Sequence, residues 1–340
     1  MKNLFISFAA CFLTLFSFSQ NIDSARIYYE AGLEKSDAKL YAVAAKKFDK
    51  AISFDPNFTE AYISNGKVDL EMSRMGPATE NFTKAYQLDP KNNDVVNSLS
   101  SLYFNNRQFQ KAIDLAQQCN SCENSDRILG MSNYSLEDYA KAEKYLNQAI
   151  SKNDKDAEVY YTLGLTELEL ENEKSAIDQY LKAIALNQTR NSWMYELGLI
   201  YYNQNDYKSA LKYFDMAANN GYNKSNDFFE NYGFAQLYTG DTDNGMKTLN
   251  VVLERKPNNK ELLNNIAHAM YDTKKYNEAL DYFNKLLILN SKDASSLFMA
   301  GVTLQKLGQK EKGQKVCDNA IAMDPSLARY RQTKQMPEGL

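Results

Sequence analysis

Two of the four cysteines, Cys119 and Cys122, stand three apart in the stretch QQCNSCENS, Gln117 to Ser125. That spacing suits a redox pair, half of a metal site, or a short staple. A thioredoxin-like pair needs a βαβ setting, and no such pattern surrounds it. A structural zinc needs about four ligands. Beyond the first residues, only Cys317 and the one histidine, His268, could add to the set, and both lie far along the chain. A local disulfide therefore stands beside a pair of free thiols as the reading of Cys119 and Cys122; an oxidising compartment favours the former. His268 sits mid-helix by pattern and reads as a packed or surface-lining residue, not a general base. No glycine-rich phosphate loop or His-Glu metal spacing occurs. The expectation is a chain with no catalytic residues, no metal and no cofactor.

Composition limits the partners. The 340 residues are 44% hydrophobic and 24% charged, enough to bury a core. Net charge is −4, so no basic field would recruit nucleic acid or anionic lipid. Only 14 glycines and 6 prolines interrupt the chain, which favours helices. Lys2 followed by the apolar run from Leu4 to Phe16 has the form of a signal peptide, with cleavage expected before Gln20. The run is short of the roughly 18 apolar residues that span a bilayer. A lipoprotein anchor at Cys11 is disfavoured because the apolar run continues past it. No later stretch reads as a membrane span. The mature chain is expected to be exported, periplasmic or secreted.

The elements that hold these residues follow a repeat. AAKKFDKAISFDP, Ala44 to Pro56, is echoed by ATENFTKAYQLDP, Ala78 to Pro90, a shift of 34 residues. Gly32 and Gly66 keep that beat, as do Gly130, Gly164 and Gly198; Gly233, Ala267 and Gly301 follow. Apolar residues recur at three- and four-residue spacing twice per unit, so each unit is a helix pair. One pair cannot bury its own apolar face; stacked neighbours can. Asp-Pro closes units at Pro56, Pro90 and Pro325, where proline bars helix in the residue before it.

This beat resembles the tetratricopeptide repeat family. Residues from Trp193 carry its pattern closely in Leu197, Gly198, Tyr201, Tyr207, Ala210, Phe214 and Ala217. Nine units begin near 25, 59, 93, 123, 157, 191, 226, 260 and 294. The expected organisation is a signal peptide at 1–19, a solenoid at 20–327, and a capping helix and tail at 328–340. In that cap, Leu327 and Tyr330 would cover the last unit. The resemblance implies an all-α, right-handed superhelical solenoid of helix-turn-helix units.

It also implies that the fifth, ninth and twelfth residues of each unit point into a concave groove. Eighteen of those twenty-seven residues are apolar or aromatic and three are charged. No fifth residue is lysine, so the family's carboxylate clamp for peptide ends does not carry over. The richest stretch is Tyr161, Leu165, Leu168, Tyr195, Leu199 and Tyr202, extended by Phe234, Leu237, His268 and Tyr271. Such a trough suits an amphipathic helix or an extended apolar segment of another protein. The sequence thus predicts a non-catalytic scaffold or adaptor whose partner is a protein segment. A cell-wall glycan-binding module is the rival, since tyrosine faces also stack on sugar rings. It is weakened by the scarcity of amide and charged groups among the central units.

Overall fold

The computed structural model describes residues 22–119 and 121–331. The signal segment at 1–19, Cys11 and the tail beyond Arg331 lie outside the described residues. The described chain is all-helical. It divides into two compact units, Met1–Leu186 and Asn187–Leu340.

The first unit holds α1 (22–37), α2 (Tyr41–Phe54), α3 (Thr59–Glu71), α4 (Met75–Leu88) and α5 (Asn93–Asn105). It continues with α6 (Phe109–Ala116), α7 (Ser125–Ser135), α8 (Tyr139–Lys152), α9 (Ala157–Glu169) and α10 (Glu173–Leu186). The second unit holds α11 (Asn191–Asn203), α12 (Tyr207–Asn219), α13 (Asn226–Tyr238) and α14 (Thr242–Arg255). It then runs through α15 (Lys260–Asp272), α16 (Tyr276–Leu289), α17 (Ala294–Lys306) and α18 (Lys310–Met323). A 3-10 helix, Pro325–Arg331, closes the described chain, and the rest of the capping segment expected at 328–340 lies outside the described residues. Its Leu327 is buried in the last core, and Tyr330 packs against that core.

From α3 on, each odd helix packs on the even helix that follows, and α2, α4, α6, α8, α12 and α16 each pack on the next odd one. The glycine beat explains the closeness of the pairs. A Cβ on Gly66 would fall 2.8 Å from Phe82, and one on Gly130 would fall 2.7 Å from Leu146 Cγ. In each case the large residue sixteen positions on fills the space that the glycine leaves. Helix pair α5–α6 evens the sizes: Ser100 stands in the glycine slot and Ala116 in the large one, and both are buried.

The turn inside each pair carries one residue with positive φ. These are Lys39, Ser73, Arg107, Glu137, Glu171, Asn205, Gly240, Lys274 and Gly308. At Asn205 (φ 60°) the left-handed step lets its N–H reach the carbonyl of Tyr202, and that of Asp206 reach Tyr201. Both bonds satisfy carbonyls that the helix end would otherwise orphan. Several second helices then start on a capping aspartate. Asp138, Asp206 and Asp241 each accept a backbone N–H three residues on.

Helix α6 has 8 residues where the other second helices have 13 or 14. The chain leaves it early and turns through Cys119 and Cys122, whose sulfurs are bonded with the Cα atoms 5.4 Å apart. Both cysteines are buried in the core built by α4 and α5. Ser125, the first residue of α7, donates its hydroxyl to the Cys119 carbonyl at 2.5 Å. The bonded pair thus fills space and ties the end of one helix to the start of the next. Cys317 is buried under Gly301, where it replaces the usual aromatic or leucine.

Candidate partner-binding surfaces

In the first unit the odd helices adjoin one another: α5 touches α7, and α7 touches α9. Their inward-turned side chains therefore form one surface. Phe104 lies on α5, Met131 and Tyr134 on α7, and Tyr161, Leu165 and Leu168 on α9; all six are half-buried. Each keeps part of an apolar face open. Tyr161 rests edge-on against Tyr180 at 5.5 Å, which fixes the ring from below. Two charged residues of the first helices are paired. Arg127, a fifth-position residue on α7, donates to Asp156 at 2.8 Å, and Asp156 also caps α9. Lys67 reaches Asp94 at 3.7 Å. The surface is thus apolar and aromatic with its ionic groups held at the sides.

The second unit treats the expected groove residues differently. Leu199, Tyr202 and His268 are half-buried. Tyr195, Phe234, Leu237 and Tyr271 are buried and form interior packing, not a contact surface. Tyr195 is 8% exposed. Its ring stacks on Tyr222 at 4.6 Å and meets Phe214 at 5.3 Å, and its hydroxyl accepts from Asn231 at 2.9 Å. Leu237 is 1% exposed because Gly245 stands opposite it, where the other second helices except α18, with Gly313, carry alanine. A Cβ on Gly245 would fall 2.7 Å from Leu237 Cδ2. His268 sets its ring edge-on to Phe283 at 5.4 Å. That contact gives the histidine a packing partner.

An aromatic group outside the fifth, ninth and twelfth positions lies along the turns of this unit. Tyr207 and Tyr238 stack at 4.7 Å with 17° between planes. Tyr202 stands edge-on to Tyr207 at 5.3 Å, and Tyr271 edge-on to Tyr276 at 5.4 Å. Burial raises the phenols of Tyr238 and Tyr271 to about 12 and moves Tyr202 higher still. Tyr207, Tyr238 and Tyr276 were not expected as site residues. Their signal was a tyrosine just after the left-handed turn or just before it, a position that the groove pattern does not sample.

No group of three His, Cys, Asp or Glu side chains that could hold a metal occurs among the described residues. No helix of the described residues is long and apolar enough to cross a membrane.

Family models described as tetratricopeptide repeat match residues 129–191, 176–224 and 294–327. The matched residues are tetratricopeptide repeats, and the helix pairs of the described chain have the tetratricopeptide-repeat fold. A solved structure of the C-terminal part of a TPR repeat-containing protein from Cytophaga hutchinsonii shares the fold. It has a TM-score of 0.50 at 20% identity, covering 70% of this chain and 98% of that one. Among curated proteins, the human protein O-mannosyl-transferase TMTC3 is 26% identical over 179 residues, covering 50% of this chain and 20% of its own length. The Arabidopsis thaliana protein CTR9 homolog is 20% identical over 309 residues, covering 77% and 28% respectively. This chain therefore spans about a fifth to a quarter of those relatives. Tetratricopeptide arrays are scaffolds for protein–protein interaction and are generally without catalysis of their own.

Proposed function

We propose that this protein is an exported scaffold that holds an apolar segment of a partner protein against the odd-helix face of its first unit. The observation that carries this reading is the continuity of α5, α7 and α9, which lines up Phe104, Met131, Tyr134, Tyr161, Leu165 and Leu168 with their faces partly open. Half-buried aromatic and aliphatic side chains give up water on contact at little entropic cost, because their undersides are already fixed. Tyrosine adds a hydroxyl that stays satisfied at the edge of a contact. Export rests on the leader from Met1 to Ser19, and placement in a bacterial envelope on the resemblance to other exported repeat proteins.

The test compares the mature chain with the double variant Tyr161→Ala, Leu165→Ala in a cross-linked pull-down from the envelope fraction. Tyr195 is left intact because its burial would confound folding with binding. Capture of a defined partner by the wild type, and its loss in a variant of unchanged circular dichroism, supports the surface. Equal capture by both moves the site elsewhere. N-terminal sequencing of the exported chain tests the leader: a mature terminus at Gln20 supports it, and an intact Met1 refutes it.

A further inference from the structure

The turn edge of the second unit carries a pocket of about 420 Å³ lined by Tyr238, Thr239, Gly240, Asp272, Thr273 and Lys274. Its walls come from two successive turns, after α13 and after α15. The stacked pair Tyr207–Tyr238 stands at one side. Asp272 lines the same pocket as Tyr238, and its charge reaches the hydroxyls of Tyr207, Tyr238 and Tyr271. No lysine or arginine among the described residues forms an ion pair with Asp272, including Lys274 of the same pocket. Burial raises its carboxyl above the usual range, and the neighbouring His268 pulls it back down.

A carboxylate at an exposed turn, sharing a pocket with a tyrosine ring, is half of a cation site. Ring faces carry the negative end of the aromatic quadrupole, and a cation over them gains further when water is excluded. Lysine fits such a place as a point charge that is strongly hydrated. Arginine fits it better: its plane stacks on tyrosine, its fork matches a carboxylate, and it sheds water more readily. A single carboxylate is too few ligands for a bound divalent ion.

We propose that the Tyr238–Asp272 pocket binds an arginine side chain presented by the partner. The proposal rests on the reading of the chain as a holder of a partner segment and gives that partner a chemical mark. The arginine enters at the turn edge, its guanidinium over Tyr238 and its N–H groups toward Asp272.

The test uses the full mature chain with ring-labelled tyrosine, followed by NMR during titration with N-acetyl-arginine amide. N-acetyl-citrulline amide, of the same shape and no charge, is the control. Tyr207 and Tyr238 are assigned by single Tyr→Phe variants. The expected result is a saturable shift of both rings with the arginine compound and not with citrulline. Asp272→Asn should weaken that binding about tenfold, as loss of a charge-assisted bond implies. Lys274→Glu, at an exposed turn, should strengthen it about twofold to fivefold. Equal shifts with citrulline, no shift at all, or affinity unchanged in both variants overturns the proposal. The variants of the first-unit surface leave this pocket intact. Failure here with success there rejects the arginine site alone, and the reverse rejects only the apolar surface.

Discussion

Gly198 and Phe214 occupy one another's space: a Cβ on the glycine would fall 2.5 Å from Cδ1 of the phenylalanine. Phe214 is fully buried, so it has no open direction in which to move. Gly198→Ala should therefore destabilise the second unit despite alanine's better helix propensity. The overpacking cost is about 1–3 kcal/mol, against a propensity gain of roughly 1 kcal/mol. A urea titration followed by circular dichroism measures it. A midpoint equal to or above that of the wild type would show that the helices can part without cost.

The left-handed turns give a prediction of opposite sign. Glu171 holds φ near 60°, a conformation that penalises a side chain by roughly 1 kcal/mol or more. Glu171→Gly should raise stability by up to about 1 kcal/mol, provided the gain exceeds glycine's added freedom in the unfolded chain. The same titration reads it, with Asp241→Ala, which removes a helix cap, expected to lower the midpoint by about 1 kcal/mol.

The Cys119–Cys122 bond closes a very short loop. Its effect on the unfolded chain is correspondingly limited, about 2 kcal/mol at most by loop-closure entropy. A reducing agent should lower the melting temperature of the wild type modestly. The double variant Cys119→Ala, Cys122→Ala should no longer respond to it. A wild-type melt indifferent to reductant would show that the pair is not bonded in solution.

Alkaline titration tests the buried tyrosines. The phenols of Tyr238 and Tyr271 are raised to about 12 by burial, above the ordinary value of about 10. Between those values the folded chain holds more protons than the unfolded one, so stability falls as pH rises. Their contribution is complete below pH about 10 and is lost on the way to about 12. Phenolate absorbance should rise first from exposed rings, then together with loss of helical signal. Smooth ionisation of all tyrosines near pH 10 with the fold intact would contradict the burial.

Much of the fold was legible in the sequence, because a glycine facing a large residue sixteen positions later is a packing rule written in two letters. The groove was legible only in part. Leu168 and Leu237 are the same residue at the same place in their units, yet one is half-buried and the other is 1% exposed. The difference lies on the facing helix, where Gly245 replaces alanine and opens a hollow for Leu237. Reading the first helix alone hides this. Gly245→Ala should push Leu237 outward and lower stability by about 1–3 kcal/mol. Unchanged stability would mean that the hollow is not what covers Leu237. The Tyr238–Asp272 pocket was illegible for a related reason: its walls come from two turns that adjoin only once the helix pairs stack.

The pairing of two small residues at Ser100 and Ala116 has a bearing on how such a chain can vary over generations. Neither position is free to drift alone. A large residue at 116 would meet Ser100, and a glycine at 100 beside Ala116 would leave a void. Duplication or shuffling that moves a whole unit carries both positions along and preserves their match. A crossover that falls between them would join a glycine to Ala116, leaving a void, or Ser100 to a large side chain, forcing a clash. Inheritance by complete units is therefore the route by which this array can lengthen or diversify while each daughter still folds.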